Sequence, residues 1–197
     1  MTIRETGDSS KKPLVVGIGG ATREGSTTER SLLLALHVAE GHGARTHSFC
    51  GKFLYDLPIY SPENHERTPE QRQLVEAVRS ADGLIVSSPG YHGGVSGLVK
   101  NALDLLEDLH DDRRCYLEGR AVGCIVVASG WQACGTTLAS LRSIIHALRG
   151  WPTPFGATLN SAEALFDAAG ACVEERVAGQ LGTVGRQVFE FASRYNR

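Results

Sequence analysis

Three apolar runs in this chain each stop at glycine, serine or alanine, pass into a short loop, and then resume at helical spacing. They are Leu14-Val15-Val16-Gly17-Ile18-Gly19, Gly83-Leu84-Ile85-Val86-Ser87-Ser88 and Ala121-Val122-Gly123-Cys124-Ile125-Val126-Val127-Ala128. None alternates apolar with polar residues, which is the pattern of strands covered on both faces. Such strands pair in parallel, with helices as the crossovers between them.

The rest of the chain fills in that pattern. Leu32, Leu33, Leu36 and Ala39 predict a helix from Thr27 to about Glu40, ended by Gly41-His42-Gly43, and Ala44 to Cys50 reads as a second strand. Gly51 to Thr68, with Tyr55, Pro58, Ile59, Tyr60 and Pro62, reads as a long irregular segment. Thr68-Pro69-Glu70-Gln71 combines a cap, a proline at the first helical position and a glutamine at the third, and predicts a helix to about Ala81. Pro89-Gly90-Tyr91-His92-Gly93-Gly94 follows the third strand as a loop, and a helix from Val95 or Ser96 to about Asp108 carries Leu98, Val99, Ala102, Leu105 and Leu106. Ser129 to Gly135 is a loop after the fourth strand, before the helical spacing of Leu138, Leu141, Ile144, Ile145 and Leu148. Phe155 to Leu159 is the fifth strand, and the last helix runs from about Cys172 to Tyr195. The expected fold is a three-layer α/β sandwich: a five-stranded parallel sheet of order 2-1-3-4-5 with helices on both faces. In such sheets ligands bind beyond the carboxyl ends of the strands, where the strand order reverses. The loops after Gly19, Ser88 and Ala128 would meet there.

The first of these loops suits an anion. Ser26 can cap the helix beginning at Thr27, with Glu29 as reciprocal partner, and the N–H groups of a helix start attract negative charge. The spacing limits which anion. A dinucleotide fingerprint starting at Gly17 would need glycine at 22, where Thr22 stands, and Ser26 replaces the lysine of a triphosphate-binding loop. Thr22, Ser26, Thr27 and Thr28 with the single cation Arg23 are suited to a terminal monophosphate, or else form an ordinary capped turn.

Composition narrows the function classes. A formal charge of −2, with acidic and basic residues interspersed, offers no field for nucleic acid. No apolar run approaches a membrane span, and residues 1–12 are polar without the apolar stretch of a signal peptide. Residues 1–12 are expected as a disordered tail, 13–197 as one domain, and the location as cytoplasmic. The five cysteines are scattered without a Cys-x-x-Cys pair and the seven histidines lack metal spacing, so no metal site is assigned.

Pro89, Gly90, Tyr91 and His92 offer backbone amides, a ring and little bulk, so a flat heterocycle can lie near the main chain; Ser129, Gly130 and Trp131 would close its other side. The combination of Gly20-Ala21-Thr22-Arg23-Glu24-Gly25-Ser26 with Ser88-Pro89-Gly90-Tyr91-His92-Gly93-Gly94-Val95-Ser96-Gly97-Leu98-Val99-Lys100-Asn101-Ala102-Leu103-Asp104 resembles the NADPH-dependent FMN reductase family of flavodoxin-like proteins, over roughly residues 13–160. The resemblance implies an FMN held by its phosphate at Arg23, Ser26 and Thr28, beside the Thr27 hydroxyl of the same loop. Its ring would lie against Pro89, Gly90, Tyr91 and His92, with Ser129 and Gly130 in the third loop. It also implies NADPH (or NADH) as reductant and a homodimer or homotetramer. Lys100 and Asn101 match the family's helix as structural residues. The chain departs from the family pattern at Ala21, where serine is usual, and at Gly90 and His92, where Glu and Asn are common.

The implied reaction is hydride transfer from NAD(P)H to flavin and then to a small-molecule electron acceptor. That needs stacking and orientation more than an acid or base, so no catalytic residue is assigned beyond His92 as a candidate proton donor. The acceptor is free flavin, or alternatively a quinone, azo or other small aromatic compound. A non-catalytic electron carrier would use an acidic patch for its redox partners, which this nearly neutral chain lacks.

Overall fold

The computed structural model describes residues 12–195. The expected tail, apart from Lys12, lies outside the described residues.

Four long strands form the sheet: β1 (Leu14–Gly19), β2 (Arg45–Phe49), β3 (Gly83–Tyr91) and, numbering a short β4 (Gly94–Val95) between them, β5 (Ala121–Ala128). The order is β2-β1-β3-β5, all parallel, with register Val15↔Gly83 and Leu84↔Val122. The fifth position is shared by two pieces, β6 (Trp151–Pro152) on the start of β5 and β7 (Ala157–Asn160) on its end. The sheet therefore has seven strands where five were expected. Pro152 and Pro154 explain the break, since neither can donate to a ladder and such residues are confined to sheet edges. β4 is the other addition and pairs antiparallel with the end of β3.

Each central strand feeds both faces. Val15, Ile85, Ile125 and Val127 pack beneath α1 (Thr27–Gly41) and, numbering on through the chain, α6 (Glu175–Tyr195), which presents Val177, Leu181, Val184 and Val188. Val16, Ile18, Leu84, Val86, Val122, Cys124 and Val126 point to the opposite face. That side is covered by α2 (Gly51–Asp56), α3 (Pro69–Ser80), α4 (Gly97–Asp104) with a 3-10 turn at Leu105–Leu109, and α5 (Trp131–Ala147). These aliphatic side chains are fully buried, each worth roughly 1.5–3 kcal/mol relative to exposure.

The cap expected at α3 is present in both directions: Thr68 N donates to Gln71 Oε1 at 3.0 Å and Gln71 N to Thr68 Oγ1 at 3.3 Å. α2 corrects the expectation of an irregular 51–68 segment. One and a half turns beginning on a glycine are too short for periodicity to mark, and Leu54, fully buried against the core, holds them in place.

Because β1, β3 and β5 are parallel and in register, with Gly19 beside Ser87 and Pro89 beside Val127, their carboxyl ends lie along one rim. The strand order reverses between β1 and β3.

Candidate functional site

The first loop leans on the end of β3. Gly20 N donates to Ser87 O at 3.3 Å, and the buried Ser87 hydroxyl donates to Thr28 O at 2.9 Å. Ser26 caps α1 by accepting from Glu29 N at 3.3 Å. The carboxylate of Glu29, expected to return to the N–H of Ser26, takes Gly25 N instead, at 2.9 Å. Gly25 is in the left-handed region (φ 63°), and the turn there brings its N–H within reach. Ser26 and Thr28 are buried, Thr27 is half-buried and Arg23 is exposed. As the first residues of α1, Thr27 and Thr28 have N–H groups with no carbonyl a turn earlier in the helix.

The second loop is shorter than expected because β3 continues through Pro89 and Gly90 to Tyr91. Ser88 makes the return possible: its hydroxyl accepts from Ser96 N at 3.0 Å and donates to Pro89 O at 2.9 Å. Tyr91 pairs with Gly94 across a two-residue turn in which both His92 (φ 52°) and Gly93 (φ 79°) have positive φ. That is the requirement of a type I′ hairpin, which favours Asn, Asp or Gly. His92→Asn is therefore expected to raise stability by about 0.5–1 kcal/mol, read as a higher urea midpoint at unchanged slope. Gly90 is confined for a different reason. A Cβ there would stand 2.8 Å from Ala128 Cβ and 2.9 Å from Thr137 Oγ1, so no side chain fits without displacing them. That Thr137 hydroxyl is buried and has no hydrogen-bond partner among the described residues.

The third loop is reduced to Ser129 and Gly130, since α5 starts at Trp131 and not after Gly135. Its first turns carry the small residues Ala133, Cys134 and Gly135, so the apolar spacing becomes legible only from Leu138. Gly130 (φ 111°) turns its N–H to Asn160 Oδ1 at 3.1 Å. Trp131 is half-exposed, and the Arg176 guanidinium lies 5.9 Å from its ring centre.

Two hollows result. His92, Gly93, Ser129, Gly130 and Trp131 line a cleft of about 610 Å³ together with Gln132, Ala133 and Thr136. Ala21 and Thr22 of the first loop meet Pro89 and Tyr91 in a second, more apolar recess of about 480 Å³, closed by Leu54, Tyr55, Leu57, Ile59 and α4. Arg23, Ser26, Thr27 and Thr28 line neither hollow. Gln132, Thr136, Leu54 and Leu57 are lining residues beyond the sequence-derived set, while Tyr55 and Ile59 belong to the 51–68 segment read above as irregular.

Asn101 is a clasp: Oδ1 accepts from Tyr60 N at 2.7 Å and Nδ2 donates to Pro58 O at 3.1 Å. Lys100 pairs with Asp104 at 2.6 Å on the surface. Burial pushes the Cys124 thiol up to about 12 and raises Cys134 and Cys50 as well, so none of these three is a thiolate nucleophile at neutral pH.

The sequence profile of the NADPH-dependent FMN reductase family matches residues 13–164. The chain belongs to this family. Within curated proteins, an FMN-dependent NADPH-azoreductase of Staphylococcus aureus is 34% identical over 99 residues, 50% of this chain and 49% of that protein. The chain thus aligns with about half the length of the curated relatives it matches. Among solved structures, an NADH:FMN oxidoreductase in its apo form superposes with a TM-score of 0.69 at 22% identity, over 92% of this chain and 89% of that one. A flavoenzyme NAD(P)H:(acceptor) oxidoreductase from Paracoccus denitrificans gives 0.65 at 18% identity, over 93% and 98%. At such identities the likeness speaks for the shared flavodoxin-like fold alone. The family match ends at 164, in the segment that leads to α6, whereas the superpositions on these two structures cover more than nine-tenths of this chain.

Proposed function

We propose that this protein is an NAD(P)H-dependent FMN reductase whose flavin lies across the rim formed by the three loops. The observation that carries the reading is their convergence at the carboxyl ends of β1, β3 and β5, beside the strand-order reversal.

The residues fit FMN. A Cβ built on Gly130 meets nothing within 4 Å, so the bare main chain of the third loop faces open space where a planar ring can approach it. The cleft beside it falls within the range of small-molecule sites, roughly 300–1,000 Å³. Ser26, Thr27 and Thr28 with the α1 amides would hold the phosphate, and Arg23 would neutralise it. Pro89, Gly90, Tyr91 and His92 would line one side of the ring, and Ser129, Gly130 and Trp131 the other. The chemistry supplied by FMN when bound is two-electron transfer between NAD(P)H and an acceptor. The chain's own part is to orient the stack and to present main-chain N–H groups to the ring. His92, at the tip of the hairpin, is the side chain available to protonate a reduced acceptor.

The half-exposed Trp131 at an open cleft favours a flat aromatic acceptor, and the azoreductase relative supports the same alternative. A homodimer or homotetramer is supported by the exposed apolar side chains around the second recess: Tyr55 (64%), Ile59 (80%) and Tyr91 (56%). No helix among the described residues is long and apolar enough to cross a membrane, and a cytoplasmic location is proposed.

Purified protein is expected to quench FMN fluorescence at about one flavin per chain and to oxidise NADPH when FMN, menadione or an azo dye is supplied. The acceptor with the highest kcat/KM separates flavin reductase from aromatic reductase. Absence of NADPH oxidation with every acceptor would sink the enzyme reading. Light scattering that returns a monomer mass would remove the oligomer.

A further inference from the structure

The segment between β7 and α6 leaves the sheet beside the third loop and is fastened at its far point to the first. At its start, Asn160 Oδ1 accepts from both Gly130 N and Ala162 N at 3.1 Å. Residues 165–173 then fold back on themselves: Val173 N donates to Leu165 O at 3.0 Å, Asp167 N to Ala171 O at 2.9 Å, and Gly170 N to Asp167 O at 3.1 Å. Arg30, on the first turns of α1, fastens this fold, its Nη1 donating to Asp167 O at 2.7 Å. The same guanidinium lies between two left-handed glycines. A Cβ on Gly25 would stand 3.6 Å from its Nη2, and one on Gly170 would stand 3.7 Å from its Cζ.

Charge makes this contact matter for the site. Glu29 places a carboxylate on Gly25 N, inside the loop where a phosphate dianion is to be held. Two negative groups so close repel each other strongly at low effective dielectric unless a cation sits beside them. Arg23, in the same loop, is one such cation, and Arg30, whose guanidinium lies beside Gly25, is a second.

We propose that Arg30 is a further determinant of FMN-phosphate binding, offsetting Glu29 and clamping the 165–173 fold against Gly25. This rests on the flavin-site reading above. Arg30 is a positioning residue and has no assigned part in hydride transfer. A guanidinium is suited to the double task, because one edge can donate to a carbonyl while the planar face covers the glycine and the charge stays in place.

The test is fluorescence-quenching titration of wild type, Arg30→Gln and Arg30→Lys with FMN and with riboflavin, which lacks the phosphate, after thermal melts have confirmed that each variant folds. Arg30→Gln is expected to raise the FMN Kd about tenfold while moving the riboflavin Kd less than about twofold. Arg30→Lys, which keeps the charge, is expected to stay within about threefold of wild type for FMN. An Arg30→Gln protein that binds FMN as wild type does, or that loses riboflavin and FMN equally, overturns the proposal. Arg30→Lys as weak as Arg30→Gln overturns the charge offset. Wild type that leaves FMN fluorescence unchanged overturns the flavin-site reading itself, a result distinct from wild type and Arg30→Gln binding equally well.

Discussion

Gly51→Ala is expected to lower stability by about 3 kcal/mol and to weaken FMN binding by at least about tenfold. Gly51 is the first residue of α2, and a Cβ added there would be driven deep into the carbonyl oxygen of Ala21, far inside van der Waals contact. The obstacle is main chain and cannot rotate away as a side-chain tip would. Gly20, at φ 109°, faces the same point from the other side, since a Cβ on it would stand 3.0 Å from Gly51 N. The two glycines therefore let α2 and the first loop touch through bare backbone. The strain of an added methyl has to be relieved by displacing one or the other. If the loop moves, Thr22, Arg23 and the capped start of α1 move with it. Urea unfolding should show a lowered midpoint at constant slope, and FMN titration a raised Kd. An alanine variant with wild-type values of both would mean that α2 does not press on the loop as described.

Arg120→Met should match that loss of stability, about 3 kcal/mol, and leave flavin affinity within about twofold. The Arg120 side chain is fully buried at the amino ends of the strands, opposite the rim and immediately before β5. Its Nε donates to Ala81 O at 3.0 Å, Nη1 to Tyr116 O at 2.9 Å and Nη2 to Arg79 O at 2.8 Å. Two of these carbonyls end α3, where a cation complements the negative end of the helix dipole. Burial, aided by the like charge of Arg114, pushes the guanidinium down to about 10, so it stays charged at neutral pH. Methionine fills much of the volume but removes the guanidinium's bonds to Tyr116 O and Arg79 O, while Ala81 O keeps Arg114 Nη1 at 3.2 Å, and that accounts for the loss. The pair of variants separates two kinds of damage. Gly51→Ala acts at the rim and should affect both stability and ligand, whereas Arg120→Met acts at the far end of the strands and should affect stability alone. Equal losses of FMN affinity in both would point to general loosening of the fold and against a rim-localised site.

How far the molecule could be read from its residues differs between elements for definite reasons. β1, β3 and β5 are continuous apolar runs, and the hydrophobic effect acts on such runs wherever the chain takes them. α3 was legible to within a residue because its cap, its first-turn proline and its capping glutamine are neighbours in sequence. The rim loops were legible as positions, for a parallel sheet brings the ends of its strands together. Their extents were not. β3 reaches Tyr91 because β4 supplies it with a partner, and α5 starts at Trp131 although, after that half-exposed tryptophan, no large apolar residue follows before Leu138 to mark a helical spacing. The fifth strand came out as two pieces because prolines interrupt the edge it lies on.

Local chemistry thus settled the element types, the alternation of strand with helix and the capped start of α1 at Ser26, since each depends on residues within about one helical turn of one another. Tertiary contact alone decided which backbone each glycine must admit, why no side chain fits at Gly90, and that Arg30 meets Asp167 across a separation of 137 residues. The physical reason is that a close approach or a buried hydrogen bond is a property of two surfaces. Nothing near either partner in sequence states which surface the other will be.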